Sequence, residues 1–375
     1  MKSHDADVIV VGAGPAGSAA AVLLARAGKR VVLADRAHFP RDKCCGDGLT
    51  GAALVRLEGL GLSSTDVPSW LAVDRTVFVS PSGRDLPLRT TGADRNVLAI
   101  ATRSQLDAAL VDLARVAGAR VIEGARLDSA VAGADSVTVG FGELGDLTAP
   151  FVVAADGAWS PTRRALDSES TAPSLHKWQA ARAYVRDVDE PGAVEARVWF
   201  DPDVLPGYAW SFPLAGGRAN VGVGTLREAG GGGGWIVRRL DELLQSQAAK
   251  ELLGTAARAH GRALVWPIPT ELRRSRLVAG GGRVLFAGDA VGATDPMTGE
   301  GIAEALQTGE LAAAALIAGR PTSYAKSAGR ALAGRHRRRQ FCSTLLRSQL
   351  LARGGVRVAG TSDWARAQFT RWIFE

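Results

Sequence analysis

Apolar positions fall into three patterns along this chain, and each pattern predicts a different element. The first is the short unbroken run. Val8 to Val11 is one, as expected for a strand buried on both faces of a parallel sheet. Glycines interrupt it at once in Gly12-Ala13-Gly14-Pro15-Ala16-Gly17, and an Ala/Leu-rich helix follows to about Ala27. Gly28 stops that helix, and Arg30 to Ala34 reads as a second strand ending at Asp35. Phe151 to Ala155 leads in the same way into Asp156 and Gly157, and Arg283 to Ala287 into Gly288, Asp289 and Ala290. Between them, Arg103-Ser-Gln-Leu106-Asp107-Ala-Ala-Leu110 opens an amphipathic helix.

The second pattern is strict alternation. Val194, Ala196, Val198 and Phe200 alternate with Glu195, Arg197 and Trp199, which predicts a half-buried strand in an antiparallel sheet. Tyr208, Trp210 and Phe212 also alternate, so that all three share one face of a strand. The third is helical spacing late in the chain. There Phe341, Leu345, Leu346 and Leu350 follow the basic run Arg335-His-Arg-Arg-Arg339. Gly230 to Gly234 are consecutive glycines, a stretch expected to hold no regular structure and to form a surface loop or a lid.

The first strand, its glycines and its helix have a chemical reading. Gly12 allows the tight turn, Gly14 lets the backbone approach a pyrophosphate, and Gly17 lets helix and strand pack closely. The free N–H groups and positive dipole end of the helix then meet the phosphates. Asp35 stands 18 residues after Gly17, where a carboxylate can bind both hydroxyls of an adenosine ribose. An acid there argues against a 2′-phosphate. Strand, glycines, helix, second strand and terminal acid in register predict dinucleotide binding.

Composition narrows the class. A chain of 375 residues exceeds one ordinary core, and 45 glycines with 46% hydrophobic residues suit an α/β protein with many tight turns. Four apolar residues at Val8 to Val11 fall far short of the roughly 20 that a membrane span needs, and three cysteines build no disulfide framework, so a cytoplasmic location is expected. The net charge is +7 and the excess lies late, between Lys326 and Arg371, where Asp363 is the only acid. No nucleic-acid module accompanies it. The tail reads either as a helix packed on the body with its charges solvated, or as a basic amphipathic element against anionic lipid. The five histidines show no metal-ligand spacing, so no metal is expected.

In order and spacing, the segments around Gly12, Arg103, Asp156 and Asp289-to-Ile302 resemble the fingerprints of the para-hydroxybenzoate-hydroxylase-like flavoproteins, over roughly Asp7 to Ala315. The resemblance implies FAD as the dinucleotide. It implies that Asp289 holds the ribityl chain, that Arg103 contacts the cofactor near its ribityl and phosphate part, and that the helix from about Gly299 aims its N-terminus at the flavin pyrimidine ring. The residues expected at the cofactor are Gly12, Gly14, Pro15, Ala16, Gly17, Asp35, Arg36, Cys45, Gly46, Arg103, Asp156, Asp289, Gly299, Gly301 and Ile302. No second GxGxxG follows a strand, so NAD(P)H or another external donor has no Rossmann domain of its own and binds transiently or acts through an electron-donor protein.

Within that fold, the stretch Phe39-Pro-Arg-Asp-Lys43-Cys44-Cys45-Gly46-Asp47-Gly48-Leu49 looks like the FPRDKPCGDGL segment of the geranylgeranyl reductase family. Tyr208-Ala-Trp210-Ser-Phe212-Pro213 matches that family's YxWxFP motif, and Asn220 to Gly224 continue it. Cys44 departs from the pattern by standing where proline is usual. The resemblance implies saturation of isolated double bonds on prenyl lipids, such as geranylgeranyl chains or a menaquinone tail. Tyr208, Trp210 and Phe212 would wall the substrate pocket and Cys45 would be the catalytic residue, for positioning or protonation near the flavin, while Asp47 is expected to cap the helix that follows. The fold expected is α/β, with a Rossmann-like FAD-binding domain (1–75, 91–171 and 272–325), an inserted antiparallel-sheet substrate domain (76–90 and 172–271) and a basic helical C-terminal region (326–375). Rival readings are a hydroxylase of the same fold, a flavin halogenase and a non-catalytic flavin-binding redox partner.

Overall fold

A computed structural model describes residues 4–90, 97–166, 177–227, 233–272 and 277–374. The first stretch runs β1 (Val8–Val11), α1 (Pro15–Arg26), β2 (Val31–Ala34), β3 (Gly48–Thr50), α2 (Gly51–Gly59), β4 (Leu71–Ala72), β5 (Arg75–Val79) and β6 (Asp85–Arg89). Then follow β7 (Leu98–Ile100), α3 (Arg103–Val116), β8 (Arg120–Ile122), β9 (Ser129–Ala132), β10 (Val137–Gly140), β11 (Asp146–Ala149), β12 (Phe151–Ala154) and α4 (Pro161–Leu166). The next part holds β13 (Trp178–Arg186), β14 (Glu195–Trp199), β15 (Tyr208–Leu214), β16 (Arg218–Leu226), α5 (Gly233–Gln245), α6 (Gln247–Leu253) and β17 (Arg258–Ile268). The last holds β18 (Val278–Ala279), β19 (Val284–Phe286), α7 (Ile302–Ile317), α8 (Ser323–Leu345), α9 (Gln349–Ala359) and α10 (Asp363–Phe374).

The unbroken apolar runs form the centre of a sheet ordered β18-β19-β12-β1-β2-β8. All its pairs are parallel except the edge pair β18–β19, and every residue of β1, β2 and β19 is buried. Helices cover both faces of such a sheet, so its strands have no polar side to show. Because the strands are parallel, their C-terminal ends share one edge. Gly12, Asp35, Asp156 and Asp289 each follow the end of a different strand of this sheet, which brings four distant segments together where the strand order reverses about β1.

A second sheet, ordered β17-β13-β16-β15-β14-β5-β6, is antiparallel apart from the pair β14–β5. Alternation along β14 predicts a half-buried strand, but both of its faces are covered. Ala196, Val198 and Phe200 pack with Val356, Ala359 and Phe374 of the C-terminal helices, while Trp199 packs on the side covered by Ile236 and Leu240 of α5. Glu195, on that second side, is buried by pairing with Arg75 at 2.9 Å and with Arg197.

The glycine run also differs from expectation at its end. Gly230 to Gly232 lie outside the described residues, whereas Gly233 and Gly234 are the first residues of α5. First-turn residues need no helical acceptor for their N–H groups, and burial of Ile236 and Leu240 against the sheet holds the helix in place. Among the described residues, no helix is long and apolar enough to cross a membrane.

Candidate functional site

The turn after β1 is built by steric exclusion. A Cβ at Gly12 would lie 2.3 Å from the Ala155 carbonyl oxygen, and one at Gly17 would lie 1.8 Å from the Gly12 carbonyl oxygen. Side chains are therefore impossible at either position without moving backbone. A Cβ at Gly14 would meet only the guanidinium ends of Arg41 and Arg103, at 3.7 and 3.9 Å. Pro15 starts α1, and no side chain caps the helix, so its first amides and two arginines face one space. That donor set fits a pyrophosphate.

Asp35 is oriented before any ligand arrives. Its Oδ2 accepts the Ala13 N–H at 2.7 Å and its Oδ1 accepts the Ala37 N–H at 2.8 Å. Exposed Arg36 lines the same cleft, as does Asp156. The Asp156 carboxylate accepts from Ser160 Oγ at 2.6 Å and from the Thr162 N–H at 2.8 Å, so it caps α4 while bordering the nucleotide end.

Arg103 is buried and bound at both ends of its fork by Asp107, with two contacts of 2.8 Å. Burial opposes its charge, but the adjoining Asp107 carboxylate outweighs this and holds the guanidinium firmly protonated. Arg41 reaches the same carboxylate at 2.9 Å. Asp107 thus fixes two cations over the phosphate turn, and the four-residue spacing from Arg103 is the signal that marks it in the sequence.

At the other end of the cleft, Asp289 pairs with Lys43 at 2.9 Å and accepts from Thr294 Oγ1 at 3.2 Å. Burial pushes its carboxyl up, yet the Lys43 ammonium and Arg103 outweigh burial and hold it below the usual carboxylate range. Gly299, Gly301 and Ile302 form the approach to α7 and line the same cavity as Gly14, Pro15, Ala16, Cys45, Gly46 and Arg103. The loop before α7 is tied down by Asp295. Its Oδ1 accepts the Met297 and Thr298 N–H groups, both at 2.9 Å, and its Oδ2 pairs with Arg339 at 3.2 Å.

Another wall of this cavity comes from β15. Tyr208, Trp210 and Phe212 stand side by side, with ring centroids 5.9 and 6.3 Å apart. A Cβ at Gly222 would fall 2.1 Å from the Trp210 ring, so the glycines of the Asn220-to-Gly224 stretch make room for the indole. Trp210 Nε1 donates to Asn220 Oδ1 at 3.1 Å, and Asn220 Nδ2 donates to the Cys45 carbonyl and to Asp47 Oδ2, each at 2.8 Å. Asn220 thereby locks the cysteine loop against the aromatic strand.

Asp47 does not cap α2, whose N-cap is Thr50. Its φ of 63° turns the chain so that the carboxylate faces the second sheet, where it also accepts from Tyr184 Oη at 2.9 Å and from the Arg103 N–H at 3.1 Å. Burial pushes it up to about 6 in spite of these donors. Cys44 and Cys45 are both free thiols. Burial raises Cys45 against the pull of Arg103, so it stands at the cavity as a neutral thiol and not as a nucleophilic thiolate. Cys44 donates to the Leu264 carbonyl at 3.4 Å, and burial pushes it up to about 12.

Behind the aromatic wall lies a second, more apolar chamber. It shares Cys45, Gly46, Tyr208, Phe212, Gly299 and Ile302 with the first and continues between Phe78, Phe200, Met297 and Phe374. The polar positions whose partners are least visible in the sequence are Arg41, Lys43, Arg182, Asn220 and Glu300. Arg182 is buried in the wall and pairs with Asp42 at 2.6 Å. Lys43 lies inside a recognisable segment, but its partner is more than two hundred positions away.

The basic run of the tail is not simply solvated. Arg335, His336 and Arg339 share the inner face of α8 and reach Glu304 at 3.2 Å, the Thr294 carbonyl at 3.1 Å and Asp295 at 3.2 Å, respectively. Arg337 and Arg338 face outward. Phe341, Leu345 and Leu350 are exposed, and Leu346 alone of that set packs on the core.

The FAD binding domain family matches residues 5–200. The chain is 35% identical to a menaquinone reductase of Mycolicibacterium smegmatis over 86% of this chain and 79% of that protein. It is 33% identical to digeranylgeranylglycerophospholipid reductase 1 of Methanopyrus kandleri, over 82% and 79% of the two chains. A geranylgeranyl bacteriochlorophyll reductase-like protein of Thermoplasma acidophilum superposes with a TM-score of 0.83, covering 97% of this chain and 95% of that one at 22% identity, and so shares the fold. By these likenesses the chain belongs to the geranylgeranyl reductase family of FAD-dependent oxidoreductases.

Proposed function

We propose that the protein reduces isolated carbon–carbon double bonds of a prenyl chain. The observation that carries this reading is the aromatic stripe Tyr208, Trp210 and Phe212 on the cavity beside the Gly14 turn, with Tyr208 and Phe212 also lining an apolar chamber that continues to Phe374. When bound and reduced, FAD supplies a hydride. The chain's own residues do the rest. Gly12 to Gly17, Arg41 and Arg103 hold the pyrophosphate, Asp35 the adenosine ribose, and Asp289 with Lys43 the ribityl region. The start of α7 faces the pyrimidine end of the ring, where its dipole favours negative charge. The three aromatic faces orient the alkene, exclude water and stabilise positive charge developing on carbon.

The reductant that recharges the flavin is a transient donor, either NAD(P)H or a carrier protein. The prenyl substrate enters from an anionic lipid surface. Support comes from α8 to α10, where exposed Phe341, Leu350 and Trp364 stand among Arg337, Arg338, Arg347 and Arg353, while Ile373 and Phe374 of α10 line the apolar chamber.

The test is anaerobic. Protein reduced with dithionite is mixed with a geranylgeranyl lipid or a menaquinone, and flavin reoxidation is followed together with product mass. Reoxidation with a gain of two hydrogens is the expected result. Reoxidation only after oxygen is admitted, with an oxygenated product, would make the protein a monooxygenase.

A further inference from the structure

Saturating an alkene needs a proton as well as a hydride, and the one hydroxyl of the aromatic wall, on Tyr208, is committed to the Thr298 carbonyl. Among the described residues that line the apolar chamber behind that wall, Glu300, at the approach to α7, is the one with a carboxyl group. Thr50 Oγ1 donates to Glu300 Oε1 from the opposite side, and Cys45, Tyr208 and Phe212 line the same space. The Glu300 N–H is bound by Thr298 Oγ1 at 3.3 Å and its carbonyl accepts the Asp295 N–H at 2.8 Å, so the backbone that presents this side chain is fixed.

A second carboxyl group stands four positions on from Glu300. Glu304, in the first turn of α7, is buried; one of its oxygens pairs with Arg335 at 3.2 Å, and the other makes no hydrogen bond. Arg335 is partly exposed on α8. We propose that Glu300 is the acid that protonates the alkene, and that Glu304 returns a proton to it from the Arg335 side. This rests on the prenyl-reductase reading. One alkene carbon accepts the hydride and both electrons from the reduced flavin. The π bond breaks, the Glu300 O–H bond breaks, and the other carbon accepts that proton. The Glu300 carboxylate left behind faces the carbon on which positive charge developed, until Glu304 reprotonates it.

The groups around Glu300 agree with this role. Burial, then the charges of Glu304 and Asp295, push it up to about 8, against the Thr50 hydrogen bond and Arg339. Burial likewise pushes Glu304 up to about 7, with Arg335 opposing. Tyr208 stays a neutral phenol, its hydroxyl donating to the Thr298 carbonyl. Burial lowers His336, which faces the Thr294 carbonyl and lies near Asp295. Burial and the neighbouring carboxylates thus favour the protonated form of Glu300 inside an apolar chamber, the form an acid for this step requires.

Two measurements on the FAD-loaded protein test the proposal. The first is an infrared titration of the oxidised protein without substrate. A carboxyl C=O band should vanish as the pH rises through about 8, be absent in E300Q, and move to lower pH in E304Q, where the repelling charge is gone. The second is the single-turnover reoxidation of reduced flavin by a prenyl substrate. In wild type the rate should fall as the pH rises through the same value. In E300Q it should be about 100-fold lower with the pH dependence lost, with E300D between the two, general acids of this kind contributing 10²-fold or more. FAD occupancy and reduction by dithionite should be unchanged in all three variants. Wild-type rates in E300Q with an unmoved pH profile would overturn the proposal while leaving the reductase reading intact. Failure of wild type to saturate any prenyl substrate would overturn both.

Discussion

The two ends of the proposed cofactor cleft are made in different ways. The nucleotide end is mostly backbone: the Gly12-to-Gly17 turn, the uncapped start of α1, and strand ends aligned by a parallel sheet. The ring end is mostly side chains brought together over long distances. Lys43 reaches Asp289, Asn220 reaches Cys45 and Asp47, Tyr208 reaches Thr298, and Arg339 reaches Asp295. A backbone site tolerates almost no added atoms. A side-chain site can be altered one contact at a time, which suits a surface that distinguishes substrates.

The largest effect should come from the backbone end. Gly17→Ala places a Cβ where the Gly12 carbonyl stands, 1.8 Å away. Overpacking against fixed backbone should cost about 3 kcal/mol or more and leave the purified protein without FAD, as read from the flavin-to-protein absorbance ratio. Full FAD occupancy in this variant would mean that the turn is not rigid.

Next is Trp210→Ala, which opens the wall without touching the phosphate turn. FAD occupancy should match wild type, while prenyl turnover should fall by about 100-fold through loss of alignment. An equal loss of FAD binding would erase the distinction between the two ends. Asn220→Ala is a smaller change. It leaves Asp47 and the Cys45 carbonyl with one donor fewer, for a loss of about 1–3 kcal/mol in urea unfolding. No change there would mean that the cysteine loop is held by its other contacts.

The smallest effect is a pH dependence. Asp47 sits at about 6 in the folded protein against an ordinary 3.8. The folded state therefore holds this proton more tightly than the unfolded chain does. Its stabilising contribution is complete below the ordinary carboxylate range and is lost as pH rises through the folded value. The stability difference between wild type and Asp47→Asn should accordingly favour wild type more at low pH and shrink towards neutrality. A difference that grows with pH would reverse the sign of the argument.

The same contrast explains what the sequence makes legible. Gly12, Gly14, Gly17 and Asp35 act through local conformation, within one strand–helix–strand unit, so spacing reveals them. The Tyr208, Trp210, Phe212 stripe is local in the same sense, since alternation places all three on one face. Lys43 and Asn220 fall inside recognisable segments, but neither they nor Arg182 show in the sequence what they bind. Each is an ordinary polar residue until the fold supplies a partner 140 or more positions away. Asp47 and the basic run at Arg335 to Arg339 show the opposite difficulty. Their sequences suggest a helix cap and a solvated face, but the chain turns Asp47 towards Asn220, and α8 packs Arg335 and Arg339 onto the carboxylates beside α7. The alternation in β14 misleads because α5, some forty positions further along the chain, covers the Trp199 face that would otherwise be open.

The most direct measurement is a crystal structure of the FAD-loaded protein with a saturated prenyl chain, which can bind but not react. The account predicts the pyrimidine end of the flavin at Gly299 to Ile302 and the hydrocarbon against Tyr208, Trp210 and Phe212, running on towards Phe374. A flavin ring placed away from α7, or a chain bound outside that wall, would contradict it.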